Sequence, residues 1–421
     1  MKSGIDLRHL KPTVRPQDDL YRHVNGTWID NAEIPADRSS DGAFYELYQS
    51  AEKHVREIID ELGASGGTKG SVAQKIGDLY GSFMDEEKAN ALGISPIAKD
   101  LEIALSVSNV NQFHKVLGDF ESRGLGGVFY QYVTTDNMDS NTNIAYIGQS
   151  GLSLPDEAYY REEEFAEIRS AFVEHVTKMF TLAKIENPSA KADAILKLET
   201  EIASKHWDQV KDRDAVLTYN KMSFAELKAS APDFDWDTWL ATSKVPGKVM
   251  ATVIVRQPSF FTGLGEILKN FYSEAWSAWL AWHLLSGTAS YLSSEFVDES
   301  FAFYGTKLSG TPELKARWKR GVGLVEGSLG EAVGQIYVEK HFPPAAKTRM
   351  VELVANLIEA YRIDIAALTW MTSETKTKAF EKLDKFTPKI GYPDKWRDYS
   401  ALDISRDDLI GNLARVTKFN Q

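Results

Sequence analysis

The sequence predicts a mainly α-helical protein carrying one small β-hairpin, and three observations lead there. Apolar residues recur with a helical period along most of the chain. One short stretch switches instead to β-branched and aromatic residues. The chain is also longer than one core can fill: it has 421 residues, and single cores stop growing near ~250–300. Two lobes, or one lobe and part of a second, are therefore expected.

The first strong helix begins at Phe44, with Leu47, Tyr48, Ala51, Val55, Ile58, Ile59 and Leu62 on one face. Ser39, Ser40 and Asp41 offer capping oxygens ahead of it, and Gly63 follows. Val72, Ile76, Leu79, Tyr80 and Phe83 mark the next helix, so GASGGTKG between them reads as a connection. The segments 128–133 (VFYQYV) and 144–147, on either side of the polar DNMDSN, read as a hairpin with a longer loop. Helices are expected again over 163–183, 190–207 and 224–229. Another spans 350–368, with Val351, Val354, Leu357, Ile358, Tyr361, Ile365 and Leu368 on one face. The apolar run 271–286 (FYSEAWSAWLAWHLLS) contains Glu274 and His283 and is too short for a bilayer, which needs ~18 apolar residues. It reads as a buried core helix. The Pro- and aromatic-rich 388–400 (PKIGYPDKWRDYS) is the best candidate for a lobe boundary.

Composition removes several function classes. The chain has 60 acidic and 48 basic residues, a formal charge of −12. Such a surface repels phosphate backbones, so no nucleic acid partner is expected. No cysteine occurs, which excludes disulfides, thiolate metal sites and cysteine nucleophiles. The start, MKSGIDLRHLKP, has no apolar signal core. With no membrane span either, the expected location is cytoplasmic, or exported without a recognisable signal peptide.

No chemistry emerges from spacing. A helical zinc site needs two histidines one turn apart, but the closest of the eight, His9 and His23, are fourteen residues apart. Metal ligands and catalytic residues are therefore both expected to be absent. Gly63-Ala64-Ser65-Gly66-Gly67 formally matches a nucleophile elbow, but a helix precedes it where the elbow needs a strand. The glycines at 321, 323, 327, 330 and 334 lack dinucleotide spacing. Gly323 with Gly327, and Gly330 with Gly334, suggest close helix packing instead. Paired carboxylates such as Asp18–Asp19 and Glu162–Glu164 read as caps or solvated faces.

Several separated motifs resemble the neprilysin and endothelin-converting-enzyme zinc peptidases. They are RPQDDLYRHVNGTW at 15–28 followed by Ile34-Pro35, GLSLPDEAYY at 151–160, and KDRDAVLTYN at 211–220. The resemblance is densest over 303–412, through FYGTKLSG, RWKRGV, YVEKHFPP, LTWMTSETKTKAFEKL, KIGYPDKWRDYS and Gly411-Asn412. The absence of cysteine and of an apolar N-terminal segment is most similar to the actinobacterial branch.

The resemblance implies a helical lid lobe with a small β-hairpin, plus the incomplete beginning of a second, catalytic lobe. Residues 1–45 would be an entry segment associated with the catalytic lobe, 46–387 the lid, and 388–421 a truncated re-entry into the catalytic lobe. It implies one zinc ion, held in the family by H-E-x-x-H and a later glutamate, and peptide substrates. Those ligands have no counterpart here, so the chain is expected to be an inactive N-terminal fragment of a metalloendopeptidase. Its partner would be the complementary C-terminal portion, with the zinc site beyond Gln421. In animal members an arginine after Ile-Pro grips a substrate carboxylate, and its position here is Ser40, with Arg38 two residues earlier. Arg38, Ser40 and Phe44 are thus the candidate substrate-binding residues, and Ser40 favours endopeptidase over carboxydipeptidase action. The alternative is a stand-alone helical module that binds peptides or proteins without cutting them.

Overall fold

The computed structural model describes residues 6–421. The chain forms two compact units. One comprises Met1–Leu47, Asp85–Lys315 and Asn420–Gln421, the other Tyr48–Met84 and Ala316–Phe419. The 388–400 passage lies inside the second unit.

The first unit is built around the helix Ser273–Thr288, the run expected to be a core helix. A helix that is apolar on every side has to be surrounded. Here Trp276, Trp279, Trp282, Leu280, Leu284 and Leu285 are all buried. Helices Ala98–Leu105 and Pro188–Ala203 pack against it, and Ala166–Leu182 pairs with Pro188–Ala203. Aromatic edges fill the gaps: the Phe113 ring lies 4.5 Å from Trp276, and Phe172 meets Trp282 edge-on at 5.8 Å. Helix starts follow the expected chemistry, with Asp19 accepting from Arg22 N, and Ser223 and Glu226 forming a reciprocal capping box.

The hairpin exists, but it belongs to a four-stranded sheet. Strands β1 (Phe129–Asp136), β2 (Asp139–Gln149), β3 (Asn220–Ser223) and β4 (Thr252–Val255) lie in the order β1-β2-β4-β3. β2 and β4 are parallel, and the other pairs are antiparallel. The connection between β1 and β2 is tight, because most of DNMDSN joins the strands. Asp136 fixes that end: it accepts from Met138 N at 2.9 Å, Tyr219 Oη at 2.8 Å and Lys221 Nζ at 2.8 Å. These bonds, led by that from Lys221, hold its carboxyl down to about 2. One sheet face, with Phe129, Ile147, Val253 and Val255, is buried. The other carries the stacked rings of Tyr130, Tyr132 and Tyr146.

In the second unit, Val72–Met84 packs against Arg317–His341 over a core that includes Val55, Ile58, Ile76, Leu79, Val322, Val325, Leu402 and Val416. The close approach of these helices is at Gly321, where a Cβ would lie 2.8 Å from the Tyr80 ring. The packing expected of Gly323, Gly327 and Gly330 does not occur, since a Cβ there meets nothing within 4 Å. Their region instead carries a kink: Leu329, between Ser328 and Gly330, leaves helical geometry at φ −130°. Buried Lys75 closes the core by donating to the carbonyls of Tyr399 (2.5 Å) and Ser400 (3.3 Å). No helix among the described residues is long and apolar enough to cross a membrane.

Candidate functional site

Of the three candidate substrate-binding residues, Arg38 and Ser40 sit on the segment that leads into the helix Ala43–Ser65, and Phe44 is in its first turn. That segment is pinned by Glu313 N, which donates to Ala36 O at 3.0 Å. Arg38 is not an extended cationic hook. Its side chain is only 12% exposed and pairs with Asp41 at 3.2 Å and Asp37 at 3.8 Å. Its guanidinium also lies 5.1 Å from the centre of the Tyr45 ring. The same tyrosine accepts a 2.9 Å hydrogen bond from Ser40 Oγ. Tyr45 therefore joins Arg38 and Ser40 into one polar cluster. The ring was not legible as part of the site, although it stands five residues from Ser40. Phe44 is 87% exposed, so it is not the first core residue of its helix.

The passages 151–160 and 211–220 converge elsewhere in the first unit, on a groove of about 240 Å³ lined in part by Ser150, Asp156, His206, Trp207 and Asp212. Buried Glu199 organises one wall. It accepts from Ser153 N (2.9 Å), Ser153 Oγ (2.7 Å), Tyr160 Oη (2.5 Å) and His283 Nε2 (3.1 Å). Burial, followed by the neighbouring Glu199, raises the Tyr160 phenol well above its ordinary value, so it stays a donor. On the other wall Asp212 takes hydrogen bonds from Arg256 and Gln257. Gln257 accepts from Gln149 N at 2.9 Å, and Gln149 in turn accepts from Trp207 N at 2.7 Å. The carboxylates of Glu199 and Asp212 are both engaged, and Ser153 Oγ is held between Glu199 and Trp282. The groove is braced for shape and has no activated nucleophile.

The histidines do not make a zinc site. His114 accepts from Asp235 N, His175 donates to Glu299, His206 to Ser150 O, and His283 to Glu199. Burial lowers His114 and His206 to about 4, so both are neutral near pH 7. Only His54 and His341 meet, with rings stacked 4.0 Å apart and 6° from parallel. The in-plane lone pairs of stacked rings run side by side and do not converge on one ion. Among the described residues no three His, Asp or Glu side chains are grouped to hold a metal. The donor set of the described residues does not fit the family's zinc.

Comparison with known proteins accounts for this combination of motifs. The N-terminal profile of Peptidase family M13 matches residues 16–393. The neutral endopeptidase of Lactobacillus helveticus is 29% identical over 90% of this chain and 59% of its own length. Mouse endothelin-converting enzyme 1 is 27% identical over 94% of this chain and 53% of its own. Among solved structures, the zinc metalloprotease Zmp1 of Mycobacterium tuberculosis in complex with an inhibitor superposes with a TM-score of 0.95 at 44% identity. That match takes in 99% of this chain and 64% of the mycobacterial one. The chain thus spans between half and two thirds of the length of these relatives, over their N-terminal portion, and it belongs to Peptidase family M13.

Proposed function

We propose that this chain is the N-terminal part of a zinc-dependent endopeptidase, supplying the lid lobe and the first pieces of the catalytic lobe. It acts on peptides only together with a complementary C-terminal portion that carries the zinc ligands. The observation that carries this reading is the likeness to a zinc metalloprotease over 99% of this chain at 44% identity. In this reading the metal comes with the other portion, since no three His, Asp or Glu side chains among the described residues are grouped to hold one.

Arg38, Ser40 and Phe44 contact substrate in this reading, and Ser40 sets the mode of cleavage. It offers a neutral hydroxyl, and the charge of Arg38 is already matched by Asp37 and Asp41. A free terminal carboxylate then gains little over an amide, which favours internal bonds. Phe44 supplies an exposed apolar surface for a substrate side chain.

The test joins residues 1–421 to the C-terminal portion of the mycobacterial relative in one polypeptide. Zinc-dependent cleavage of internal peptide bonds is expected, with none from the 421-residue chain alone. Stoichiometric tight zinc binding and peptide cleavage by the isolated chain would overturn the proposal. Peptide acids and their amides should be cut at similar rates. A preference for the acid of roughly tenfold, about 1.4 kcal/mol, would reverse the assignment of Ser40.

A further inference from the structure

Helix Pro344–Ala367, in the second unit, is 24 residues long and has no fully buried residue. Helices in water depend on packing an apolar face, and this one has two. Val354, Ile358, Ile365 and Leu368 form one flank and are half-buried. The neighbouring helix is Ser373–Asp384, the one element that packs closely on Pro344–Ala367. Met350, Leu353, Leu357 and Tyr361 form the other. Their 3-4-4 spacing places them within about 80° of arc, and they are 43–61% exposed. Trp370, just past the helix, is 75% exposed. A shallow depression of about 700 Å³ lies over Met350, Leu353 and Leu357, edged by Arg349, Glu352 and Asn356. Apolar centre and polar edge together are the anatomy of an interface.

The helix is not loose. Lys347 in its first turn donates to Tyr392 O at 3.3 Å and lies 3.9 Å from the centre of the Tyr392 ring. Arg362 pairs with Asp384 of the neighbouring helix at 2.6 Å. The exposed flank is therefore held in place as a surface, and monomers seldom leave a contiguous apolar patch of this kind uncovered.

We infer that the Met350–Leu353–Leu357–Tyr361 flank, extended by Trp370, is the seat of the C-terminal portion that the longer family members carry. This rests on the function proposed above. The occupant is argued from length: the matches take in 90–99% of this chain but only 59% and 64% of the Lactobacillus and mycobacterial relatives. More than a third of each relative thus has no counterpart here. A neutral apolar stripe suits a segment that becomes part of one core, and does not suit a charged ligand that comes and goes.

The test compares amide hydrogen exchange over residues 344–370 in the 421-residue chain and in the joined polypeptide. Exchange at least about tenfold slower is expected in the joined protein. The double variant Leu353→Glu/Leu357→Glu should abolish that protection and the zinc-dependent cleavage. It should leave the melting temperature of the isolated chain unchanged, because both side chains already face solvent there. Equal exchange in the two forms, in a joined protein that cuts peptides, overturns the inference and leaves the proposed function standing. Protection without any cleavage supports the inference and overturns the function. Protection already present in the isolated chain, lost on dilution to monomer, makes a second copy the occupant and overturns the inference.

Discussion

Glutamine in place of Glu121 removes a single ionisable group whose cost to the fold can be worked out. Glu121 ends the helix Val110–Glu121, and its carboxyl end is buried although the residue as a whole is only partly so. Oε2 accepts from Trp239 Nε1 at 2.6 Å, while Oε1 is shut off from solvent and has no hydrogen-bond partner. The backbone of Gly127 closes over it so tightly that a Cβ there would lie 1.7 Å from Oε1. Burial raises this carboxyl from 4.5 to about 8, and the indole bond only partly opposes the rise. Below pH 4.5 both folded and unfolded chains hold the proton, and the group has no pH-dependent effect. Between 4.5 and 8 the unfolded chain has released it and the folded chain has not. The unfolded state then binds fewer protons, so stability falls as pH rises. At 1.36 kcal/mol per unit over this window, the full loss is up to about 5 kcal/mol, complete above pH 8. Glutamine keeps an acceptor for Trp239 but buries an amide N–H without a partner, a pH-independent cost of about 1–3 kcal/mol. The variant should therefore be the less stable protein at pH 5 and the more stable one at pH 8. Urea unfolding followed by circular dichroism at pH 5, 6, 7 and 8 measures this. The difference between the two proteins cancels every other titrating group. Parallel stability curves across that range would show that Glu121 is hydrated or paired, and would refute the reasoning.

Other substitutions probe the same architecture. Gly321→Ala should lower stability by about 1–3 kcal/mol, because its Cβ meets the Tyr80 ring at 2.8 Å. Gly323→Ala, two residues on and in open space, should raise it by about 0.5–1 kcal/mol; thermal melting of the pair separates packing from backbone entropy. Tyr160→Phe removes a hydroxyl that donates to Glu199 and accepts from Ser153 N and Leu154 N. It should cost about 1–3 kcal/mol, read by urea unfolding. In the joined polypeptide, Asp41→Ala should release Arg38 from its nearer ion pair and raise the acid-over-amide preference of peptide cleavage severalfold; kinetics on matched peptide pairs would report it.

Features whose signal is local were legible in the sequence. The all-apolar run around Trp279 could only be a surrounded helix, whereas the helix that Asp19 caps at Leu20 was not expected. The four-residue β4 was not legible, because a short apolar run such as TVIV fits a buried strand or a piece of helix equally well. β3 was hidden for the opposite reason: NKMS has no strand character and is held by pairing with β4. The web on Glu199 joins residues 39 to 84 positions away, a relation that no spacing rule contains. In the candidate site, the carboxylates beside Arg38 were visible as neighbours. Their capture of the guanidinium beneath Tyr45 was not, since it depends on how the segment turns into its helix.

The 350–368 periodicity shows how a correct pattern can contain two surfaces. Val351, Val354, Leu357, Ile358, Tyr361, Ile365 and Leu368 read as one apolar face, which would ordinarily meet one partner. In the structure Val354, Ile358, Ile365 and Leu368 are half-buried, on a helix with a single closely packed neighbour, while Val351, Leu357 and Tyr361 stay exposed. An apolar arc too wide for its one neighbour implies a second. The surplus hydrophobicity is explained if the helix is a shared wall between this chain and the portion that brings the metal.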